Sequence, residues 1–158
     1  MMELAYVKTP IGTVQLQGDT MGLASVHFMD IEVAASEVIP EVLLDAVTQL
    51  KEYFSKKRMQ FELLLQPNGT QFQKKVWKQL ETIPHGKTVS YQTMANSLGD
   101  PKVIRAAASA NGKNPIAIII PCHRVIGSDG SLTGYAGGLD RKKWLLAHES
   151  SVKQGELF

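Results

Sequence analysis

The first third of the chain alternates apolar and polar residues before it changes to a helical period. Val14 and Leu16 are flanked by polar side chains, residues 18–22 have the composition of a turn, and apolar residues resume at Leu23. This alternation predicts short β-strands. Apolar residues then recur three or four positions apart, which predicts an amphipathic helix. The helical positions are Leu43, Ala46, Val47, Leu50 and Phe54.

A second alternating stretch, residues 61–65, predicts one more strand before the sequence PNGT. We interpret PNGT as a linker and a helix start, because Thr70 and Gln73 have the spacing of a capping box. The predicted helix repeats apolar residues along one face, with Trp77 beside them as a core residue. The positions on this face are Phe72, Val76, Leu80 and Ile83.

Two short helices with clear end signals follow. Ser90 is a good N-cap and Gly99 a C-terminal cap for the first, while Asp100 caps the second with Pro101 at its first position. Two short helices around a tight glycine-containing turn are typical of a helix-turn-helix. The second helix is rich in alanine, which reflects either helix propensity and close packing or close approach to a DNA groove. The pattern alone leaves both explanations open.

Charge is distributed unevenly along the 158 residues, although the net charge is only +2. Residues 1–67 carry 5 Lys and Arg against 9 Asp and Glu, whereas residues 68–158 carry 12 against 6. The balance therefore changes from −4 to +6, which indicates a polyanionic partner for the second half. A solvated basic surface is the alternative explanation.

The N-terminal sequence MMELAYVKTP has no apolar core of signal-peptide length, so we do not expect export. No apolar run approaches the ~18 residues that a membrane span needs. The chain has 1 cysteine, which suits a reducing compartment. We therefore expect a cytoplasmic protein without a membrane-spanning segment.

The single cysteine, Cys122, lies in the run IIIPCHRVIGSDGSLTGYAGG. One thiol cannot form an internal disulfide, complete a cysteine-based metal cluster or resolve a mixed disulfide. A buried structural thiol is the simplest alternative. However, Pro121 fixes the backbone on one side, and His123 and Arg124 supply polar and cationic character on the other. Cationic surroundings favour the reactive thiolate, so we interpret Cys122 as a candidate nucleophile.

The hexapeptide IPCHRV, followed by YAGG and later by LLAHES, resembles the DNA alkyltransferases that repair O6-alkylguanine. The resemblance covers residues 68–149 closely and the first 67 in outline. It implies an α+β protein, with a small N-terminal α/β (RNase H-like) domain over 1–67. A mostly helical, winged-helix-like domain containing the helix-turn-helix would span 68–150, before a flexible tail over 151–158. Some members bind zinc in the first domain, but the cysteines that would ligate it are absent here. We expect no metal and no cofactor.

For function, the resemblance implies extrusion of O6-alkylguanine, and of O4-alkylthymine, from duplex DNA. The alkyl group would pass irreversibly to Cys122 in a single turnover. It also implies that His123 acts as a base through a water, that Glu149 orients His123, and that Asn114 ties the reactive loop to the helix-turn-helix.

The remaining implied residues contact the substrate or DNA. Arg105 would fill the gap left by the extruded nucleotide, and the Tyr91 hydroxyl would donate to the base. Many relatives carry serine at Ala136, whose backbone N–H is retained here. The implied substrate and DNA contacts are Tyr91, Arg105, Arg124, Val125, Tyr135 and Ala136.

Three other functions compete with this hypothesis. A cysteine hydrolase would use a Cys–His pair but would turn over, a non-catalytic lesion binder would lack the cysteine, and a transcriptional regulator would need a sensing domain or a dimer interface. We expect a monomer whose partner is double-stranded DNA carrying O6-alkylguanine. The tail sequence QGELF weakly resembles peptides that dock on the bacterial sliding clamp, and a frayed end is the alternative.

Overall fold

A computed structural model describes residues 1–150 of the protein. The chain forms two compact units. The first comprises Met1–Asn68 and Pro115–Ala117, and the second comprises Gly69–Asn114 and residues 118–150. The predictions made for the tail, residues 151–158, lie outside the described residues.

The first unit contains an antiparallel sheet and one long helix. Strands β1 (Glu3–Thr9), β2 (Gly12–Asp19) and β3 (Gly22–Phe28) lie in the order β1-β2-β3. Alternate residues of β1 and β2 are buried, as a period of two requires, whereas in β3 the neighbours Ser25 and Val26 are both buried. A 3-10 turn (Glu41–Leu43) leads into helix α1 (Leu44–Phe54), which buries its apolar stripe. The buried core includes Ala5, Val7, Val14, Leu16, Val26, Val47 and Leu50.

The strand predicted over residues 61–65 is wrong. Within this stretch only Leu65 pairs, in an isolated parallel bridge with Leu23. The Gln49 side chain donates to the Glu62 carbonyl at 3.1 Å and accepts from the Glu62 N–H at 2.8 Å. Because a side chain satisfies these backbone groups, they do not need a strand ladder.

Two separate segments cover the outer edge of β3. Leu23 pairs with the backbone of residues 64–66, through hydrogen bonds of 2.9 and 2.7 Å. Further along the strand, the Val26 N–H donates to the Pro115 carbonyl at 2.9 Å, and the Ala117 N–H donates to the Val26 carbonyl at 3.1 Å. The chain therefore returns to the first unit at Pro115–Ala117, which protects an otherwise open sheet edge.

The second unit begins with helix α2 (Gln71–Leu80). The predicted capping box is confirmed: Thr70 Oγ1 accepts from the Gln73 N–H at 3.1 Å, and Gln73 Oε1 accepts from the Thr70 N–H at 2.9 Å. The predicted core position of Trp77 is also confirmed. Its Nε1–H donates to the Ala110 carbonyl at 2.8 Å and links α2 to helix α4 (Ile104–Gly112).

Helices α3 (Tyr91–Ser97) and α4 form the predicted helix-turn-helix. Ser90 and Asp100 accept backbone N–H bonds at 3.0 and 2.9 Å, as N-caps do. Gly99 has a φ of 95°, a conformation that glycine adopts without strain. A 3-10 turn precedes α4, so the second helix begins later than Pro101.

Three elements complete the second unit. A short parallel pair joins β4 (Val89–Ser90) to β5 (Val125–Ile126), and helix α5 spans Leu139–Glu149. No helix within residues 1–150 is long and apolar enough to cross a membrane.

Candidate active site

Cys122 lies in a tightly held loop of the second unit. It begins a 3-10 turn (Cys122–Arg124) and is only 6% exposed. Its N–H donates to the Ile120 carbonyl at 2.8 Å. Upstream, Ile118 has a φ of 73°, which is unfavourable for a β-branched residue and requires support from its surroundings.

Two asparagines near the end of α4 support this loop. Asn114 Nδ2 donates to the Ile120 carbonyl at 2.7 Å, and Asn111 Nδ2 donates to the Cys122 carbonyl at 3.5 Å. Both asparagines are buried. The helix-turn-helix and the cysteine loop are therefore joined by direct hydrogen bonds.

A buried ionic group lies next to the cysteine in sequence. Glu149 Oε2 is 2.7 Å from His123 Nε2, and both side chains are almost fully buried. Arg124 donates to Glu149 through Nε at 2.7 Å and Nη2 at 2.9 Å, a bidentate arrangement. Its Nη1 donates to the Ile83 carbonyl at 2.6 Å.

The contact with Glu149 determines which His123 nitrogen is basic. An ionised carboxylate only accepts hydrogen bonds, so the neutral imidazole must hold its proton on Nε2. Nδ1 then carries the lone pair. Nδ1 is buried and has no hydrogen-bond partner among residues 1–150. The residue that follows Cys122 in sequence therefore carries one buried basic nitrogen.

The pKa values of this pair favour a neutral histidine and an ionised glutamate. Burial lowers the pKa of His123 and outweighs the nearby Glu149 carboxylate, which raises it. Burial raises the pKa of Glu149, but the charges and hydrogen bonds of His123 and Arg124 hold it well below its usual range. Arg124 is the permanent cation among these partners, so it keeps Glu149 ionised whether or not His123 carries a second proton.

The predicted cationic activation of the thiol by its sequence neighbours is wrong. Burial raises the pKa of Cys122, while a hydrogen bond from Asn114 and the charge of Lys142 lower it less strongly. Arg124 directs its charge to Glu149, and His123 is neutral. The resting cysteine is therefore a thiol, and its proton must be removed during the reaction.

Lys142 is the cation that acts on Cys122. Its side chain is fully buried on α5, and Nζ donates to the Thr133 carbonyl at 2.7 Å. The Tyr91 hydroxyl donates to the same carbonyl at 3.2 Å, and Nζ lies 5.8 Å from the centre of the Tyr91 ring. Burial lowers the pKa of Lys142 to about 8, although Cys122 acts to raise it. The lysine therefore keeps its charge at neutral pH and holds the 133–135 loop.

A cavity of about 500 Å³ lies beside α4 in the second unit, within the size range of small-ligand sites. One wall is a single face of α4, because the lining positions recur at helical spacing. The 133–135 loop and Tyr91, at the start of α3, form the rest. The lining residues are Tyr91, Ile104, Arg105, Ala108, Asn111, Gly112, Thr133, Gly134 and Tyr135.

Comparison with known proteins agrees with this arrangement. Residues 71–151 match the family described as 6-O-methylguanine DNA methyltransferase, DNA binding domain, and residues 2–67 match the ribonuclease-like domain of the same enzyme. The chain belongs to the 6-O-methylguanine DNA methyltransferase family. It is accordingly a DNA-binding methyltransferase of DNA repair, with the DNA-binding domain in its second half.

Individual members of the methyltransferase family align over nearly the whole chain. The methylated-DNA–protein-cysteine methyltransferase of Methanosarcina acetivorans is 48% identical, over 95% of this chain and 99% of its own. The O6-methylguanine methyltransferase structure of Mycobacterium tuberculosis is 41% identical with a TM-score of 0.85, over 96% of this chain and 94% of its own. A structure of M. tuberculosis OGT in complex with DNA is 43% identical with a TM-score of 0.83, over 92% and 91%.

The residues singled out from sequence in this methyltransferase fall into two groups. The first group lies in the cysteine loop or is hydrogen-bonded to it, and it comprises Cys122, His123, Asn114 and Glu149. The second group lines the cavity and comprises Tyr91, Arg105 and Tyr135. Burial raises the pKa of Tyr135 well above its usual range, so its hydroxyl is protonated. Val125 is buried in β5, and Ala136 is exposed.

One predicted contact needs correction. Arg124 was expected among the residues that contact substrate or DNA, but it is only 6% exposed. Its guanidinium is held by Glu149 and the Ile83 carbonyl. The side chain therefore supports the His123–Glu149 pair from inside the second unit.

Two buried residues near the cysteine, Asn111 and Lys142, were not predicted from the sequence. Lys142 stands in the charged run RKKW, which resembles a solvated helix face. Helical spacing is the signal that could have found it, since positions 142, 145, 146 and 149 share one face of α5 and all are buried.

Within residues 1–150 no group of three or more His, Cys, Asp or Glu side chains could hold a metal ion.

Proposed function

We propose that Cys122 Sγ accepts the alkyl group, taken from O6-alkylguanine or O4-alkylthymine extruded from duplex DNA. The observation that carries this proposal is a buried thiol followed directly in sequence by a histidine whose Nε2 is bound to buried Glu149, which leaves Nδ1 as the basic nitrogen. A base acting on a thiol is the requirement for nucleophilic attack at neutral pH.

The proposed chemistry is an in-line displacement at carbon. The bond from Sγ to the alkyl carbon forms as the bond from that carbon to guanine O6 breaks. The thiol proton passes through a water to His123 Nδ1, and Glu149 stabilises the imidazolium that results. The electron pair of the broken bond stays on guanine. Burial raises the pKa of Tyr91, so its hydroxyl stays protonated, and it stabilises that charge by exchanging its hydrogen bond to the Thr133 carbonyl for one to the base.

The helix-turn-helix explains how a buried thiol reaches a paired base. A base inside a duplex cannot present its O6 substituent, so it must leave the stack. Arg105 is exposed on the cavity-lining face of α4, where its planar guanidinium can fill the gap in the stack. The small residues of α4 suit close approach to the minor groove, where sequence discrimination is weak.

The reaction consumes the protein. Transfer makes a thioether, which has no good leaving group at neutral pH, and the chain has no second thiol to remove the alkyl group. His123 and Glu149 can move a proton but cannot regenerate the cysteine. Repair therefore stops at one alkyl group per molecule.

Mass spectrometry after incubation with a duplex containing O6-methylguanine tests this function. We expect a gain of one methyl group, located on the Cys122 peptide. Cys122→Ser should still bind the duplex but gain almost nothing, because a serine hydroxyl is a much weaker nucleophile. Turnover beyond one equivalent would indicate a hydrolase, and binding without transfer would indicate a lesion binder.

We infer further that residues 68–150 carry the chemistry, that residues 1–67 are a scaffold, and that the protein is a cytoplasmic monomer. The four candidate catalytic side chains all lie in the second unit, which supports the division between scaffold and chemistry. For the tail, deletion of the last eight residues tests the sliding-clamp hypothesis. Loss of a measurable clamp interaction would support docking, and unchanged binding would leave a frayed end.

A further inference from the structure

The chain contains two asparagine–glycine dipeptides, Asn68–Gly69 and Asn111–Gly112. In such a dipeptide the backbone nitrogen of the glycine can attack the side-chain amide carbon of the asparagine, because glycine has no Cβ to hinder the approach. The attack needs an accessible amide and a backbone that can leave helical geometry. The two dipeptides differ in both respects.

Asn111–Gly112 is held in a geometry that prevents this attack. Both residues belong to the last turn of α4, whose helical backbone keeps the Gly112 nitrogen away from the Asn111 amide carbon. Asn111 is only 2% exposed, and its Nδ2 donates to the Cys122 carbonyl at 3.5 Å. The fold therefore protects this dipeptide.

Asn68–Gly69 lacks that protection. The dipeptide lies outside the helices and strands, at the boundary between the two units, and Asn68 is exposed. Within residues 1–150, neither the Gly69 N–H nor the Asn68 side chain forms a hydrogen bond. The glycine nitrogen can therefore approach the amide carbon without breaking a contact of the folded chain.

Packing requires glycine at position 69. A methyl group added to its Cα would lie 2.5 Å from Trp77 Cη2 and 2.8 Å from Gln73 Oε1. Trp77 is a buried core residue, and Gln73 belongs to the capping box of α2, so a shift of either would disturb packing or the cap. The fold therefore keeps the least hindered residue directly after an exposed asparagine.

We propose that Asn68 is a site of spontaneous deamidation and that its isoaspartyl product weakens the start of α2. The Gly69 nitrogen bonds to the Asn68 amide carbon and loses its proton. The bond from that carbon to the side-chain nitrogen breaks, and ammonia leaves. Water then opens the cyclic imide at one of its two carbonyls, which gives aspartate or isoaspartate. The reaction consumes only water.

The two products differ in their effect on the chain. Aspartate adds one negative charge near the N-terminus of α2, where the helix dipole favours it. Isoaspartate also routes the backbone through the side chain and adds one carbon between the Cα of residue 68 and Gly69. Because Gly69 packs on Trp77 and directly precedes the cap residue Thr70, that added length displaces the capping box.

Ageing of the full chain in mildly alkaline buffer, followed by mass spectrometry of its peptides, tests the site. Both dipeptides are measured in the same molecules, so Asn111 is the internal control. In the folded protein we expect Asn68 to convert at least roughly tenfold faster than Asn111, because a helix end must open before it can react. In urea the two should convert at similar rates. Conversion of Asn68 no faster than that of Asn111 in the folded protein would overturn the assignment.

Asn68→Gln is the matched variant. It keeps an amide at position 68, but its longer side chain must close a larger ring, so this peptide should retain its mass over the same period. Chromatography separates the isoaspartyl form of the wild type, and urea unfolding compares it with fresh wild type and with aged Asn68→Gln. A lower midpoint for the isoaspartyl form alone supports the effect on α2, and an unchanged midpoint would overturn it.

Discussion

Glu149 is the residue on which the protonation of the site depends. Its carboxylate accepts from His123 Nε2 and from two Arg124 nitrogens, all inside the second unit. Removing the negative charge would leave a buried guanidinium without compensation and would free the imidazole to adopt either tautomer. The same carboxylate therefore supports both the basicity of Nδ1 and the folding of the unit.

Glu149→Gln should destabilise the protein by about 3 kcal/mol at pH 7, because breaking a buried ion pair leaves an uncompensated charge. The folded pKa of Glu149 lies well below its unfolded value of about 4.3. The contribution of ionised Glu149 to the free energy of unfolding is therefore fully present above the unfolded pKa and is lost as the pH falls from there through the folded pKa. Urea unfolding at pH 7 and at lower pH should show the wild type converging on the variant.

Glu52→Gln is the matched control for this experiment. Glu52 forms an ion pair with Arg58 at 3.0 Å, but both side chains are partly exposed, at 38% and 25%. Exposed pairs contribute roughly 0–1 kcal/mol, so this change should have a small effect. Equal effects of the two substitutions would contradict the importance assigned to the buried pair.

Sequence could predict those site residues that belong to contiguous motifs. Cys122 and His123 are adjacent, and Glu149 ends LLAHES, so the resemblance identified all three. The charge environment could not be predicted in this way. Arg124 is next to His123 in sequence, yet its guanidinium binds Glu149. The positive charge that lowers the pKa of Cys122 comes instead from Lys142 on helix α5. Side-chain direction depends on tertiary packing.

Helix α4 has one face that packs into the second unit and another that lines the cavity, so a substitution on the second face tests its function separately. Ala107 and Ala110 are buried, whereas Arg105 is exposed and lines the cavity. Arg105→Ala should slow transfer from a duplex at least roughly tenfold, since extrusion costs a few kcal/mol that the arginine helps to offset. Transfer from free O6-methylguanine should change little.

Lys113→Ala controls for the loss of one positive charge, because Lys113 is exposed just beyond the end of α4. It should weaken duplex binding in a salt-dependent way without a specific loss of transfer once bound. If Arg105→Ala slows the duplex and the free base equally, the gap-filling role is wrong.

Helix α2 depends on its capping box. Thr70→Ala removes the acceptor for the Gln73 N–H and should cost about 1 kcal/mol, as N-cap truncations do. Urea unfolding measures the loss, and Thr88→Ala, at an exposed position, is the control. If Thr70→Ala lowers the free energy of unfolding by less than Thr88→Ala does, the packing of Trp77 rather than the capping box fixes this helix.

The elements were predicted best where local chemistry fixes them. The caps at Thr70, Ser90 and Asp100 are local signals, and all three accept the expected hydrogen bonds. Residues 61–65 alternate like a strand, but alternation does not reveal whether a neighbouring backbone is within reach. Only residues 64–66 reach a backbone, that of Leu23, whereas Glu62 bonds to the Gln49 side chain, which no sequence period can indicate.

For the whole molecule, methyl transfer should reduce stability. Cys122 is almost fully buried in a loop held by Asn111 and Asn114, so an added methyl group must fit into packed surroundings. Overpacking typically costs about 1–3 kcal/mol. Thermal melting of the protein before and after one equivalent of methylated duplex, with DNA removed, should show a lower midpoint after transfer. An unchanged midpoint would mean that the loop has room for the product.

The pairing of Val26 with Ile116 joins residues that lie roughly ninety positions apart along the chain. A ribosome makes the N-terminal sheet early, but the last segment on its outer edge emerges only after the helix-turn-helix has been synthesised. Until then, the β3 edge at Val26 has no partner, and exposed edges invite pairing with other chains. The order of synthesis thus leaves the nascent protein with an open sheet edge until most of the chain, residues 115–117 included, has been made.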